Sequence, residues 1–261
     1  MKNDKTAIAV CLASLLALGT SAAQAAVFDD PKGDDNGPGN YTYPTDPVYT
    51  SGSFDLLKFR AEKSGDQVNF AVDVAAKLED PWGMGTGFAV QNVFIFIKNK
   101  DGGHTEGIPG LNVEFAKGQE WNKVVILSPQ RQPRVLGEAA QKAASLAADI
   151  LVPNLTRGSG RTIRGSIPLS ALGGDGNVDT WGYQVVMQSN EGFPAATDLL
   201  TRKVNEYEGQ HRFGGGNDGD CDPHAMDLLD GPGATQKGML AYTCGPNGES
   251  VKKATLMMIK K

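Results

Sequence analysis

Leu57, Phe59 and Ala61 alternate with Lys58, Arg60 and Glu62, and beyond a Ser64-Gly65-Asp66 turn Val68, Phe70, Val72 and Val74 alternate with Asn69, Ala71 and Asp73. Period-two patterning puts one set of side chains on a buried face and the other in water, so the two segments read as a hairpin. Phe88 to Lys98, FAVQNVFIFIK, is apolar on both faces and reads as a central strand ended by the turn residues Lys100 to Gly103. Further strands are predicted at 111–116, 122–128, 149–155, 162–169, 180–189, 238–243 and 252–260. Only Gly137 to Ala148, GEAAQKAASLAA, has the composition and length of a helix. One short helix among so many strands predicts an all-β fold, an antiparallel β-sandwich.

The first 25 residues stand apart from that pattern. Lys2 and Lys5 precede an uncharged Ala/Leu run from Ala7 to Leu18, and Ala23-Gln24-Ala25 has the small-x-small form cut by a signal peptidase. The sequence therefore predicts a signal peptide over 1–25, a single domain over 26–261, and a periplasmic or secreted protein. The apolar run is too short to span a bilayer, and no later segment is long enough. Loss of Lys2, Asp4 and Lys5 would take the net charge from -5 to -6. That balance, without a basic cluster, argues against nucleic acid as a partner. Cys221 and Cys244 would remain, and an oxidising compartment predicts a disulfide between them.

Catalytic motifs are missing from the sequence. There is no G-x-S-x-G elbow and no H-E-x-x-H, and His104, His211 and His224 fall in three different turns without the spacing of a zinc site. A glycosidase needs two carboxylates facing one sugar, and no motif marks such a pair. The sequence is read as non-enzymatic.

The stretch from Val27 to Phe59 carries the densest acids and turn residues. Asp29, Asp30, Asp34 and Asp35 crowd around Gly33, with Gly37, Pro38 and Gly39 behind them and Tyr41, Tyr43 and Tyr49 following. Such a loop repels itself unless a cation neutralises it, and calcium takes carboxylates and carbonyls together. A solvated acidic loop is the competing reading. Asp218, Asp220 and Asp222 imitate the alternating acids of a calcium loop, but Pro223 stands where glycine is required and no glutamate closes it. Trp82, in the glycine-rich turn EDPWGMGTGF, forms with Tyr41, Tyr43 or Trp121 a candidate platform for stacking on a sugar ring.

In this order, DPKGDDNGPGNYTYPTDPVYTSGSFDLLKF from Asp30, DPWG from Asp80, GGHTEGIPGLNVEF from Gly102 and FGGGNDGDCDPHAMDLL from Phe213 resemble the C-terminal domain of glucodextranase, a module found also at the end of some amylopullulanases. The resemblance covers essentially the whole predicted domain. It implies an immunoglobulin-like sandwich of the DOMON-like superfamily, outside the cytoplasm, with a glucan-type carbohydrate as ligand. Carried onto this chain, it makes Asp30, Asp34, Asp35 and Asp55 the candidate calcium ligands and Tyr43 and Trp82 candidates for the ligand face, to which the stacking argument adds Trp121. The cysteine pair is not expected from the family pattern. Relatives that bind haem leave a rival reading of electron transfer, with Met84, Met187, His104 and His211 as available ligands. A third reading is a surface or filament subunit that self-associates through an exposed edge strand such as KKATLMMIK, Lys252 to Lys260.

Overall fold

A computed structural model describes residues 24–261; the predicted signal peptide lies outside the described residues except for its last two positions. The chain opens with β1 (Ala25–Asp29), β2 (Leu56–Ser64), β3 (Gln67–Val74), β4 (Gln91–Lys98), β5 (Val113–Phe115) and β6 (Lys123–Leu127). Next come helix α1 (Gln132–Lys142), β7 (Ile150–Leu151), β8 (Arg157–Ser159), β9 (Thr162–Pro168), α2 (Leu169–Leu172) and β10 (Gly182–Ser189). It closes with β11 (Asp227–Leu228), α3 (Gln236–Met239), β12 (Thr243–Cys244), β13 (Ser250–Lys252) and β14 (Ala254–Leu256).

Two five-stranded sheets form, in the orders β1-β2-β3-β9-β8 and β11-β10-β4-β6-β7. Their apolar faces meet in an all-β sandwich: Phe59 of the first sheet packs 5.1 Å from Tyr183 of the second and 6.1 Å from Phe28 beside it. Strand β4 lies between β10 and β6, with its residues Gln91 to Ile97 buried, as its two-sided apolar pattern predicts. Pairing is antiparallel throughout the two sheets except between β6 and β7.

The structure departs from the sequence reading at identifiable places. The inward residues of β2 are Leu56, Phe59 and Ala61, while Leu57 is only half-buried, because the β2–β3 register shifts between Leu56 and Lys58. A bulge adds a residue to one strand and turns the alternation over at that point. The helix begins at Gln132 rather than Gly137, since Pro133 is accepted in a first helical turn where its missing N–H is no loss. The predicted strand over 238–243 does not form: Gly238 and Met239 end the helix α3, whose Gly238 N–H meets the Thr235 Oγ1 cap, and only Thr243 is in a strand, at the start of β12. The 149–155 strand shrinks to Ile150–Leu151, and 252–260 breaks up so that Ala254–Leu256 runs parallel to β5 while Ile259 bridges to Tyr183. Strand β1 reaches into the stretch read as an opening loop, with Ala26 and Phe28 facing in.

Cys221 and Cys244 are disulfide-bonded, with Cα atoms 5.4 Å apart. Among the described residues no helix is long and apolar enough to cross a membrane.

Candidate functional site

The segment from Asp30 to Asp55 is irregular yet anchored along its length. The Asp30 amide donates to the Leu57 carbonyl, the Gly33 amide to Asp55 Oδ2 at 3.0 Å, and the Gly37 amide to the Met226 carbonyl at 2.9 Å. Gln236, buried in α3, donates its side-chain amide to the carbonyls of Asp34 and Gly37. Gly37 has φ +62°, and a Cβ there would meet the Tyr41 ring, so only glycine lets the ring lie against this turn. Tyr41 in turn donates its hydroxyl to the Pro223 carbonyl at 2.6 Å and to Asp222.

These anchors lay the acidic loop over β11. One carboxylate oxygen from each of Asp30, Asp34 and Asp227 lies within 4.8 Å of the other two. Asp227, the first residue of β11, is fully buried, and its oxygens accept the amides of Leu56 and Leu228, each at 2.7 Å. The Leu56 amide belongs to the bulge, so the register shift and the buried acid support one another. Asp55, 3% exposed, and Asp230 border the cluster.

The electrostatics are those of uncompensated acids. Burial pushes the Asp30 carboxyl up to about 8, and the neighbouring Asp34, Asp230 and Asp55 push the same way. Asp34 and Asp55 are raised by burial and by adjacent carboxylates, Asp230 by burial, and Asp227 well above the usual range by burial and then by Asp30 and Asp34. Among the described residues no donor reaches Asp30 Oδ2, Asp34 Oδ1, Asp55 Oδ1 or Asp230 Oδ1, although all four are buried. Buried polar atoms are nearly always partnered, and the orphaned oxygens of Asp30 and Asp34, on carboxylates that converge with Asp227, are hard donors of the kind a cation takes.

The site differs from the sequence expectation in its membership. Asp30 and Asp34 are in the cluster and Asp55 is beside it, but Asp35 is turned away to accept the Tyr43 hydroxyl. Asp227 replaces it. Its sequence signal is an acid inside the apolar run AMDLL, which is costly to bury without a purpose. The other acidic run is neutralised by the protein itself: Asp220 pairs with Lys203 and faces His224, Asp218 accepts the Glu206 amide, and Asp222 accepts Tyr41 and the Asn217 amide.

The proposed ligand face also separates. Tyr43 is wedged between Phe54 and Phe213, at 5.3 and 5.9 Å, and its hydroxyl accepts the Phe54 amide. Trp121 has no exposed surface, packs on Phe96 and His104, and donates its indole N–H to the Glu106 carbonyl. Trp121 fills the interior and cannot stack on a sugar, while Tyr43 is half-buried with its ring packed against the core. Trp82 is 37% exposed on a turn whose Met84 and Gly85 amides are held by Asp80, and its ring leans on Tyr49. Of the haem-ligand candidates, Met187 is buried in β10, His104 is bonded to Asp149 at 2.7 Å, and His211 stands by Asp46 and Tyr49.

The family model of the C-terminal binding module, SLH-like, of glucodextranase matches residues 25–258. The chain belongs to this family. No individual curated protein matches it. The match runs from the first strand of the module to beyond its last, so the carboxylates brought together by Asp30 and Asp227 and the Trp82 turn all belong to the binding module itself.

Proposed function

We propose that the protein is an exported, non-catalytic glycan-binding module whose opening segment is fixed by one calcium ion held by Asp30, Asp34 and Asp227, with Asp55 at the border. The family supports a binding role, and its glucodextranase context supports a glucan-type ligand. The paired cysteines support an oxidising compartment. The observation that carries the metal is the convergence of three carboxylates, two of which, Asp30 and Asp34, also have a buried oxygen without a hydrogen-bond partner. Calcium holds oxygens at about 2.3–2.6 Å, so ligands on opposite sides of it stand roughly 5 Å apart, and the three acids fall within 4.8 Å of one another. Magnesium demands shorter, near-octahedral contacts and keeps its waters, which suits a buried multi-carboxylate cradle less well.

Such an ion would be a clasp rather than a reagent, since it would join the segment after β1 to β11 and lie apart from the exposed aromatic turn. Thermal melting tests it: chelator is expected to lower Tm and added calcium to restore it, by about 2.7 kcal/mol of stability at a hundredfold excess over Kd. A melting curve indifferent to both contradicts the metal. For the glycan, titration with maltose-type and isomaltose-type oligosaccharides should release heat and quench Trp82. No heat and unmoved fluorescence contradict glycan binding.

A further inference from the structure

A second surface lies around the segment from Glu191 to Arg212. It is a cleft of about 310 Å³ whose lining includes Glu191, Phe193, Arg202, Asn205 and Arg212. The Arg202 guanidinium is fixed from several sides: Nη1 lies 2.9 Å from Glu191 Oε2, the group donates to the His211 carbonyl, and its carbon sits 6.0 Å from the centre of the Tyr49 ring. Glu191 acts twice, since its other oxygen accepts the Phe193 amide at 2.8 Å. Arg134 donates to the carbonyl of Gly192, so the tip is held from the helix α1 side as well.

The consequence is an aromatic ring displayed on a pinned turn. Phe193 is 96% exposed. Folding gains nothing from an exposed phenyl ring, and single exposed apolar residues are ordinary on flexible tips but gain significance beside a cleft with preset polar groups. Tyr49, buried beneath Arg202, backs the cleft from inside and packs edge-on against Trp82, 6.2 Å away. Most of the cleft's charges are already matched, Arg202 by Glu191 and Lys203 by Asp220 and Asp198. What remains for a ligand is mostly hydrogen bonding and a flat apolar face.

We propose that this cleft is where the module takes its glycan, a neutral glucose-built chain, with Phe193 stacked on one pyranose face and the Glu191–Arg202 pair hydrogen-bonding its hydroxyls. The assignment rests on the glycan-binding reading above and adds its location and the charge class of its ligand. A pyranose presents an apolar face and an edge of hydroxyls, and the cleft presents the complement of both.

Calorimetric titration of the protein with maltoheptaose and isomaltoheptaose, alongside the Phe193→Ala and Phe193→Trp variants, tests this. Loss of the ring should weaken the better ligand roughly tenfold or more with Tm unchanged, and Phe193→Trp should keep the affinity. A uronic-acid chain of the same length should bind more weakly than the neutral one. If wild type binds and Phe193→Ala binds equally, the cleft is the wrong place although glycan binding stands. A uronic-acid chain that binds as tightly overturns the charge class. If wild type binds neither oligosaccharide, the cleft assignment falls together with the glycan reading.

Discussion

The Asp230 amide donates to Asp30 Oδ1 at 2.7 Å, joining two residues 200 positions apart in the chain. Asp227 lies three residues earlier on the same segment and brings a fully buried carboxylate to the same place. The first strand and a late strand of the sandwich are thus drawn together at acids that repel one another, and the sandwich closes there at an electrostatic cost that a divalent cation would offset.

Replacing Asp30 by Asn separates that cost from the hydrogen bond. The amide oxygen still accepts the Asp230 N–H, but the side chain no longer has to give up an ionised unfolded state. In chelator at pH 7.5, Asp30→Asn is expected to melt above wild type; in saturating calcium the order is expected to reverse. Scanning calorimetry in both conditions checks it, and a variant less stable than wild type in chelator would contradict the burial argument.

The pH dependence has a defined sign. Burial raises the Asp30 carboxyl from 3.8 to about 8, so its contribution to the metal-free fold is present below the ordinary value and is lost as pH rises through 8. A cation must displace that proton, so calcium affinity should increase over the same window. The Tm gain from a fixed, subsaturating calcium concentration should be larger at pH 8 than at pH 5. Proton release on binding at pH 6–7, read from titrations in buffers of different ionisation enthalpy, gives an independent check.

Tyr43→Phe addresses a side chain that the sequence places on the ligand face and the structure packs, half-buried, against the core. The ring keeps its packing on Phe54 and Phe213 but loses the bond to Asp35 and the one from the Phe54 amide. A loss of about 1–3 kcal/mol in chemical denaturation is expected, with glycan affinity unchanged. Weakened glycan binding at constant stability would restore Tyr43 to the ligand face.

The strands were legible because a sandwich buries one face of each strand, and β3 follows its alternation residue by residue from Val68 to Val74. The bulge at Leu56–Lys58 was not, because nothing in LLKF distinguishes a register shift from continuous pairing. Asp30 and Asp34 were readable as part of a dense acidic run. Asp227 was hidden by its apolar neighbours, and its partnership with residues some 200 positions away depends on topology that no local pattern encodes. Tyr43 and Trp121 show the converse: an aromatic near a turn looks like a platform until packing shows what its ring lies against.

The Cys221–Cys244 bond closes a loop with a sequence separation of 23. By loop-closure entropy, the double Cys→Ala variant should lose about 3 kcal/mol relative to the oxidised protein. Because Asp222 and its bond to Tyr41 follow Cys221 directly, the loss is expected to be larger in chelator, where the opening segment lacks its second clasp. Equal losses with and without calcium would show that the two fastenings act independently.

The most direct test of the account is to count bound calcium. Protein stripped with chelator and equilibrated with micromolar calcium should retain one ion per chain by equilibrium dialysis and elemental analysis, and both Asp30→Asn and Asp227→Asn, shown to be folded by circular dichroism, should retain none. Wild-type protein that retains none, or both variants retaining as much as wild type, would contradict it.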